Sequence, residues 1–211
     1  MARALPQGGA LRQAANGTLR RVPVWLVYAL GAMPALWLLW LIVSNGLGFD
    51  PVKELEHRVG KLGLQFIVAG LAITPLRKLT GISLLRFRRA VGLLAFGYVA
   101  LHLSVWLFLD IQLRWAEIGK DIVKRPYITV GMLGFAALVP LALTSNDLAL
   151  RKMGARAWQR LHRLVYFAAL AGAVHYVLVV KAWPPEPLVY LGVVAGLLAL
   201  RLRWRRRHAV A

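Results

Sequence analysis

The sequence predicts an all-α fold: a polytopic membrane bundle of six transmembrane helices with both termini cytoplasmic. Three observations predict it. Of the 211 residues, 59% are apolar and the mean hydropathy is +0.61, whereas soluble domains are about 45–50% apolar. The apolar residues gather in six blocks of roughly 15–22, each long enough to cross a hydrocarbon layer of about 30 Å as a helix. The basic residues, finally, fall mostly in alternate connections, the pattern that sets orientation in a membrane.

The first span runs over residues 24–44. It opens after Pro23, which suits a helix start, and carries Gly31 and Pro34 as an expected kink. It is too long for the core of a secretory signal and is expected to be retained. The second apolar stretch, residues 62–75, is short, so its helix should begin earlier, near Pro51, in the amphipathic run PVKELEHRVGK. The third span covers residues 90–109, the fourth 127–144, the fifth 164–180 and the sixth 188–202. The chain then divides into a cytoplasmic N-terminal segment (1–22), the transmembrane domain (23–203) and a basic cytoplasmic tail (204–211).

With the N-terminus cytoplasmic, that side holds 19 of the 27 basic residues and a single acid, Asp147; the other side holds eight basic residues and seven acids. The net charge of +19 is therefore explained by topology and by anionic lipid head groups rather than by nucleic acid. No Walker A pattern or GxGxxG after a strand is present, so nothing cradles a nucleotide. The absence of cysteine excludes disulfides, thiolate zinc sites and cysteine-bound iron–sulfur clusters. Six spans leave little chain for a soluble catalytic domain, so hydride from NAD(P)H is not expected to be accepted by this chain alone.

Ionisable side chains at membrane depth are costly and need a partner or a task. His102, in FGYVALHLSVWLF, and His175, in LAGAVHYVLVV, lie about two turns from the outer ends of spans three and five. Those spans run in the same direction, which sets both imidazoles at one depth. Two neutral imidazoles facing each other across a bundle are what an axially ligated heme iron requires. Ala168, Ala171 and Gly172 form a strip of small residues on the face of His175, suited to a flat macrocycle or to close helix packing. The competing reading is that each histidine only hydrogen-bonds a neighbouring helix. His162, thirteen residues before His175, lies about 20 Å further along the helix; one iron cannot bind both, and His162 is either interfacial or at the border of a flavin or quinone site. His57 reads as interfacial and His208 belongs to the tail.

Several segments, in order, resemble one family: GLGFDPVKELEHRVGK, the ITPL end of span two, RFRRAVGLLAFGYVALHL, KRPYITVG, and WQRLHRLVY followed by His175. Over residues 22–203 the chain is similar to the heme-binding membrane subunits of bacterial periplasmic methionine sulfoxide reductase systems. These belong to the ferric reductase-like transmembrane family, related to NADPH oxidases. The resemblance implies heme b between histidines of the third and fifth helices, which carries over to His102, His162 and His175, with His102 and His175 as axial ligands of the iron. The related oxidases hold two hemes with four histidines. Arginine stands here where the fourth would fall, at Arg88 or Arg89, which argues against a conventional second heme. The resemblance also implies FMN, electrons from the quinone pool or a cytoplasmic flavin reductase, and delivery to a separate periplasmic molybdenum-containing reductase subunit that repairs oxidised methionine.

The expected function is thus electron transfer across the bacterial inner membrane, by a subunit rather than by the catalytic chain. Arg77, Arg86, Arg88 and Arg89 are either topology determinants or a seat for an FMN phosphate. The connection from Asp110 to Pro126, with Arg114, Lys120, Lys124 and Arg125 beside Glu117 and Asp121, is either a solvated connector or a docking surface. Two other functions stay open: a self-sufficient quinol- or metal-reducing b-type cytochrome with the same ligands, and a transporter or assembly factor whose histidines only pack or relay protons.

Overall fold

A computed structural model describes residues 7–180 and 184–207, and every regular element among them is helical. In chain order these are α1 (Gln7–Arg21), α2 (Val24–Val43), α3 (Pro51–Thr80), a 3-10 turn (Leu85–Phe87), α4 (Arg88–Ser104) continued by a π-helical turn (Val105–Asp110), α5 (Trp115–Lys124), α6 (Pro126–Leu143), α7 (Asp147–Leu161), α8 (Leu164–Val179) and α9 (Pro185–Arg207). Five of these are long and apolar enough to cross a membrane: α2, α3, α4 with its π-turn, α6 and α9. Helix α8 has only 16 residues and meets that test together with α7, across a bend of 41°; counting the pair as one span gives six. The chain is a multi-pass membrane protein.

Local chemistry sets the boundaries. Helix α3 starts at Pro51, as the amphipathic run predicts: the Asp50 side chain accepts from the Lys53 N–H at 3.1 Å, Pro51 supplies a preset φ, and Glu54 complements the helix dipole. It ends at Gly81, whose φ of 78° is left-handed and whose N–H returns to the Arg77 carbonyl. In α2 the Pro34 ring interrupts the ladder where a kink is expected. The Tyr98 hydroxyl of α4 fills the gap, donating to the Gly31 carbonyl at 2.7 Å and accepting from the Ala35 N–H at 3.1 Å.

The core is built from small residues. Ala168, Ala169, Ala171 and Ala173 of α8 are buried, and a Cβ on Gly134 of α6 would lie 3.3 Å from that of Ala171. In α3, a Cβ on Gly63 would lie 3.3 Å from the Val99 backbone nitrogen of α4. Small residues let backbones approach where lipid supplies no hydrophobic drive to association. Large apolar side chains on the perimeter, such as Trp25, Leu36, Trp37 and Trp40, are exposed, as lipid-facing groups are.

Three helices lie in segments that hydropathy leaves as connections. Helix α1, in the N-terminal segment, docks on the 81–87 connection: Asn16 donates to the Gly81 carbonyl and accepts from Ser83 N–H, and Arg86 caps the carbonyls of Leu19 and Arg20. Helix α5 is amphipathic, with Ile118 and Ile122 packed on Trp106, Ile111 and Ile128. Helix α7 breaks at Gly154, whose φ of 75° suits glycine. Asp147, the lone acid of its side in the sequence, pairs with Arg89 at 2.5 Å. Of the basic tail, 204–207 complete α9, while 208–211 and with them His208 lie outside the described residues.

Candidate functional site

Helices α4 and α8 bring His102 and His175 together, with ring centres 6.1 Å apart and planes inclined at 74°. Each ring is held from behind by a backbone carbonyl of the next helix. His102 Nδ1 donates to the Glu56 carbonyl of α3 at 2.9 Å, and His175 Nδ1 donates to the Tyr127 carbonyl of α6 at 2.7 Å. A carbonyl can only accept, so both neutral rings carry the proton on Nδ1 and keep the Nε2 lone pair for a ligand.

The two supports share one local design. Gly60 follows Glu56 by four residues and Gly131 follows Tyr127 by four, at the ends of the segments EHRVG and YITVG. A Cβ on Gly60 would lie 2.9 Å from His102 Nδ1, and one on Gly131 would lie 2.8 Å from His175 Nδ1. Each glycine thus opens the place one turn above the carbonyl where the imidazole edge lies. Hydropathy and histidine spacing missed these residues; the repeated V–G ending four residues after the supporting carbonyl is the signal that carries them.

Both histidines line a cavity of about 410 Å³. Its floor is apolar, with Leu64, Ile67, Phe135 and Leu138, and its mouth is charged, with Lys53, Glu56, Lys61, Asp110 and Arg125. Ala168 and Gly172 line it as the strip of small residues predicts. Ala171 does not: it packs against Gly134 of α6, because its position on the helix turns it toward the neighbour rather than the cavity. His57 lines the mouth. His162 lies apart at the α7–α8 bend, stacked on Trp158 at 3.7 Å between ring centres and 3.1 Å from Thr144 Oγ1.

The donor set has a definite chemistry. No group of three or more histidine, cysteine or acidic residues suited to a metal ion occurs among the described residues, which leaves a pair of imidazoles. Two in-line metal–nitrogen bonds of about 2 Å, with the ring radii added, separate ring centres by about 6 Å. The separation of the pair and the apolar floor would suit a metal ion carried by a flat macrocycle, with His102 and His175 as the residues that would hold it.

A sequence model of the ferric reductase like transmembrane component matches residues 58–173, which takes in Gly60, His102, Gly131 and His162 and stops two residues before His175. The protein-methionine-sulfoxide reductase heme-binding subunit MsrQ of Brucella anthropi is 50% identical over 179 residues, covering 85% of this chain and 81% of that protein. Those of Brucella ovis and Brucella suis match to the same extent. The chain belongs to the MsrQ family. MsrQ proteins are, by their name, heme-binding subunits, and the family as a whole is ferric reductase-like and transmembrane.

Of the four candidate arginines near the other end of the bundle, two are engaged within the protein. Arg86 caps α1 and Arg89 pairs with Asp147. Arg201, absent from the sequence-derived candidates, reaches inward to Tyr166 Oη at 2.8 Å and the Leu71 carbonyl at 2.7 Å.

Proposed function

We propose that this chain is the membrane electron-transfer subunit of a methionine sulfoxide reductase system, with heme b held between His102 and His175. The observation that carries the reading is the pair of carbonyl-anchored imidazoles, 6.1 Å apart, lining one cavity. Heme b supplies one-electron chemistry when bound. The chain's own residues do the rest. The Glu56 and Tyr127 carbonyls fix the tautomer and ring orientation and raise the basicity of Nε2. Gly60 and Gly131 give the rings room, and Leu64, Ile67 and Leu138 exclude water from the floor.

In this reading both termini are cytoplasmic, in line with the basic residues, and the histidine pair lies in the periplasmic half of the inner membrane. Electrons come from the quinone pool or a cytoplasmic flavin reductase and leave to a periplasmic, molybdenum-containing reductase subunit. Helix α5 and its flanks offer Arg114, Lys120, Lys124 and Arg125 beside Glu117 and Asp121 as the docking face. FMN is the second cofactor, and His162, half-buried at the basic end, borders its site.

The test is quantitative pigment analysis of purified protein after heme-replete expression. One heme per chain with a low-spin spectrum supports the reading; folded protein without a Soret band refutes it. Flavin quantified on the same sample decides the FMN assignment.

A further inference from the structure

We propose that Lys61 and Arg125 anchor the two carboxylates that heme b carries on one edge of its ring, and so fix which edge faces the cavity mouth. The inference rests on the heme reading above and deepens it.

The cavity is graded in polarity along one direction. Lys53, His57 and Lys61 follow one another at four-residue spacing on α3, hence on one face, and all line the mouth; Leu64 and Ile67, further along the same helix, line the floor. Asp110 ends the π-turn after α4, and Arg125 immediately precedes α6, so both add charge at the same end. A macrocycle with an apolar edge and a dianionic edge matches this gradient in one orientation only, because a carboxylate on the apolar floor would lack any partner.

Not every cation of the mouth is available. Lys53 Nζ lies 2.7 Å from Asp110 and 3.6 Å from Glu56, one cation between two carboxylates. His57 carries no permanent charge. Lys61 and Arg125 each hold one carboxylate that does not line the cavity: Glu186 on α9 for Lys61, and Asp121 at 3.2 Å for Arg125. Their side chains are 36% and 50% exposed, and Nζ and the guanidinium have donors to share between that partner and a second anion.

Their positions in the chain match the histidine supports. Lys61 directly follows Gly60, which abuts His102; Arg125 precedes by two residues Tyr127, whose carbonyl holds His175. One permanent cation therefore stands on each wall, beside the backbone that holds each imidazole. Two anions and two cations then meet at the mouth, and each charge-assisted contact is worth about tenfold or more in affinity.

The test compares two probes on the full-length protein purified without heme: hemin, and hemin whose two carboxylates are methyl esters. Wild type is expected to bind hemin at least tenfold more tightly than the diester. The Lys61→Met/Arg125→Met double variant is expected to bind both about equally, with the low-spin spectrum of wild type, and Lys61→Arg/Arg125→Lys should restore the preference. Equal binding of the two probes by wild type, or a preference undiminished in the double variant, would overturn the proposal while leaving the heme reading intact. Failure of folded wild type to take up either probe would overturn both.

Discussion

Arg201 donates to the carbonyl of Leu71 at 2.7 Å, and that carbonyl is the one Pro75 leaves without its helical partner. Residue 75 would ordinarily supply the N–H four residues on, and proline has none. Leu71 is 1% exposed, so water does not reach the carbonyl. A guanidinium from α9, braced by Tyr166 of α8, therefore completes the hydrogen bonding of α3 and ties three helices together.

Replacing Arg201 by methionine should destabilise the bundle by about 1.5–3 kcal/mol, the range for hydrogen bonds to a charged group. In a Pro75→Ala background the loss should be smaller, because the alanine N–H restores the ladder. Thermal unfolding of the four proteins in one detergent measures the coupling, and equal losses in both backgrounds would contradict the explanation.

Tyr98→Phe should destabilise by about 1–3 kcal/mol, since the Gly31 carbonyl and Ala35 N–H lose their bridge. The same unfolding measurement checks it. The heme spectrum should not move, because Tyr98 does not line the cavity.

Gly60→Ala and Gly131→Ala should each lower heme occupancy several-fold, because the new methyl would lie within 3 Å of an imidazole nitrogen. Gly172→Ala is the control, its Cβ meeting only Leu64 at 3.6 Å. Gly172→Leu should lower occupancy by filling the cavity. Heme-to-protein ratios on size-exclusion peaks decide, and full occupancy in the first two would mean that the rings do not need this clearance.

His162→Ala should leave the low-spin signal of the His102–His175 pair in place, since His162 lies outside the cavity. Electron paramagnetic resonance of the oxidised protein reads this directly.

The spans and the meeting of His102 with His175 were legible in the sequence because hydropathy reports depth and parallel helices carry depth from one to another. The start of α3 at Pro51 was legible because the apolar stretch 62–75 is too short to span and the amphipathic run PVKELEHRVGK lies directly before it. Helices α1, α5 and α7 were not, because a search for long apolar blocks passes over short, polar or amphipathic helices: α1 docks on the 81–87 connection, α5 turns Ile118 and Ile122 onto the Trp106 cluster, and α7 is broken at Gly154. Gly60 and Gly131 were hidden for a related reason. Their role depends on a side chain of another helix, and a glycine in a membrane helix ordinarily signals close packing. Ala171 shows the limit of periodicity: one helical face serves both a cavity and a neighbour, and only tertiary contacts divide it.

The central claim is that His102 and His175 are the two axial ligands of one heme iron, and the most direct measurement is the low-temperature electron paramagnetic resonance spectrum of wild type, His102→Ala and His175→Ala. The predicted result is a low-spin bis-imidazole signal in wild type that is lost in both variants, with added imidazole restoring six-coordination. A wild-type low-spin signal that persists unchanged in both variants would contradict the account.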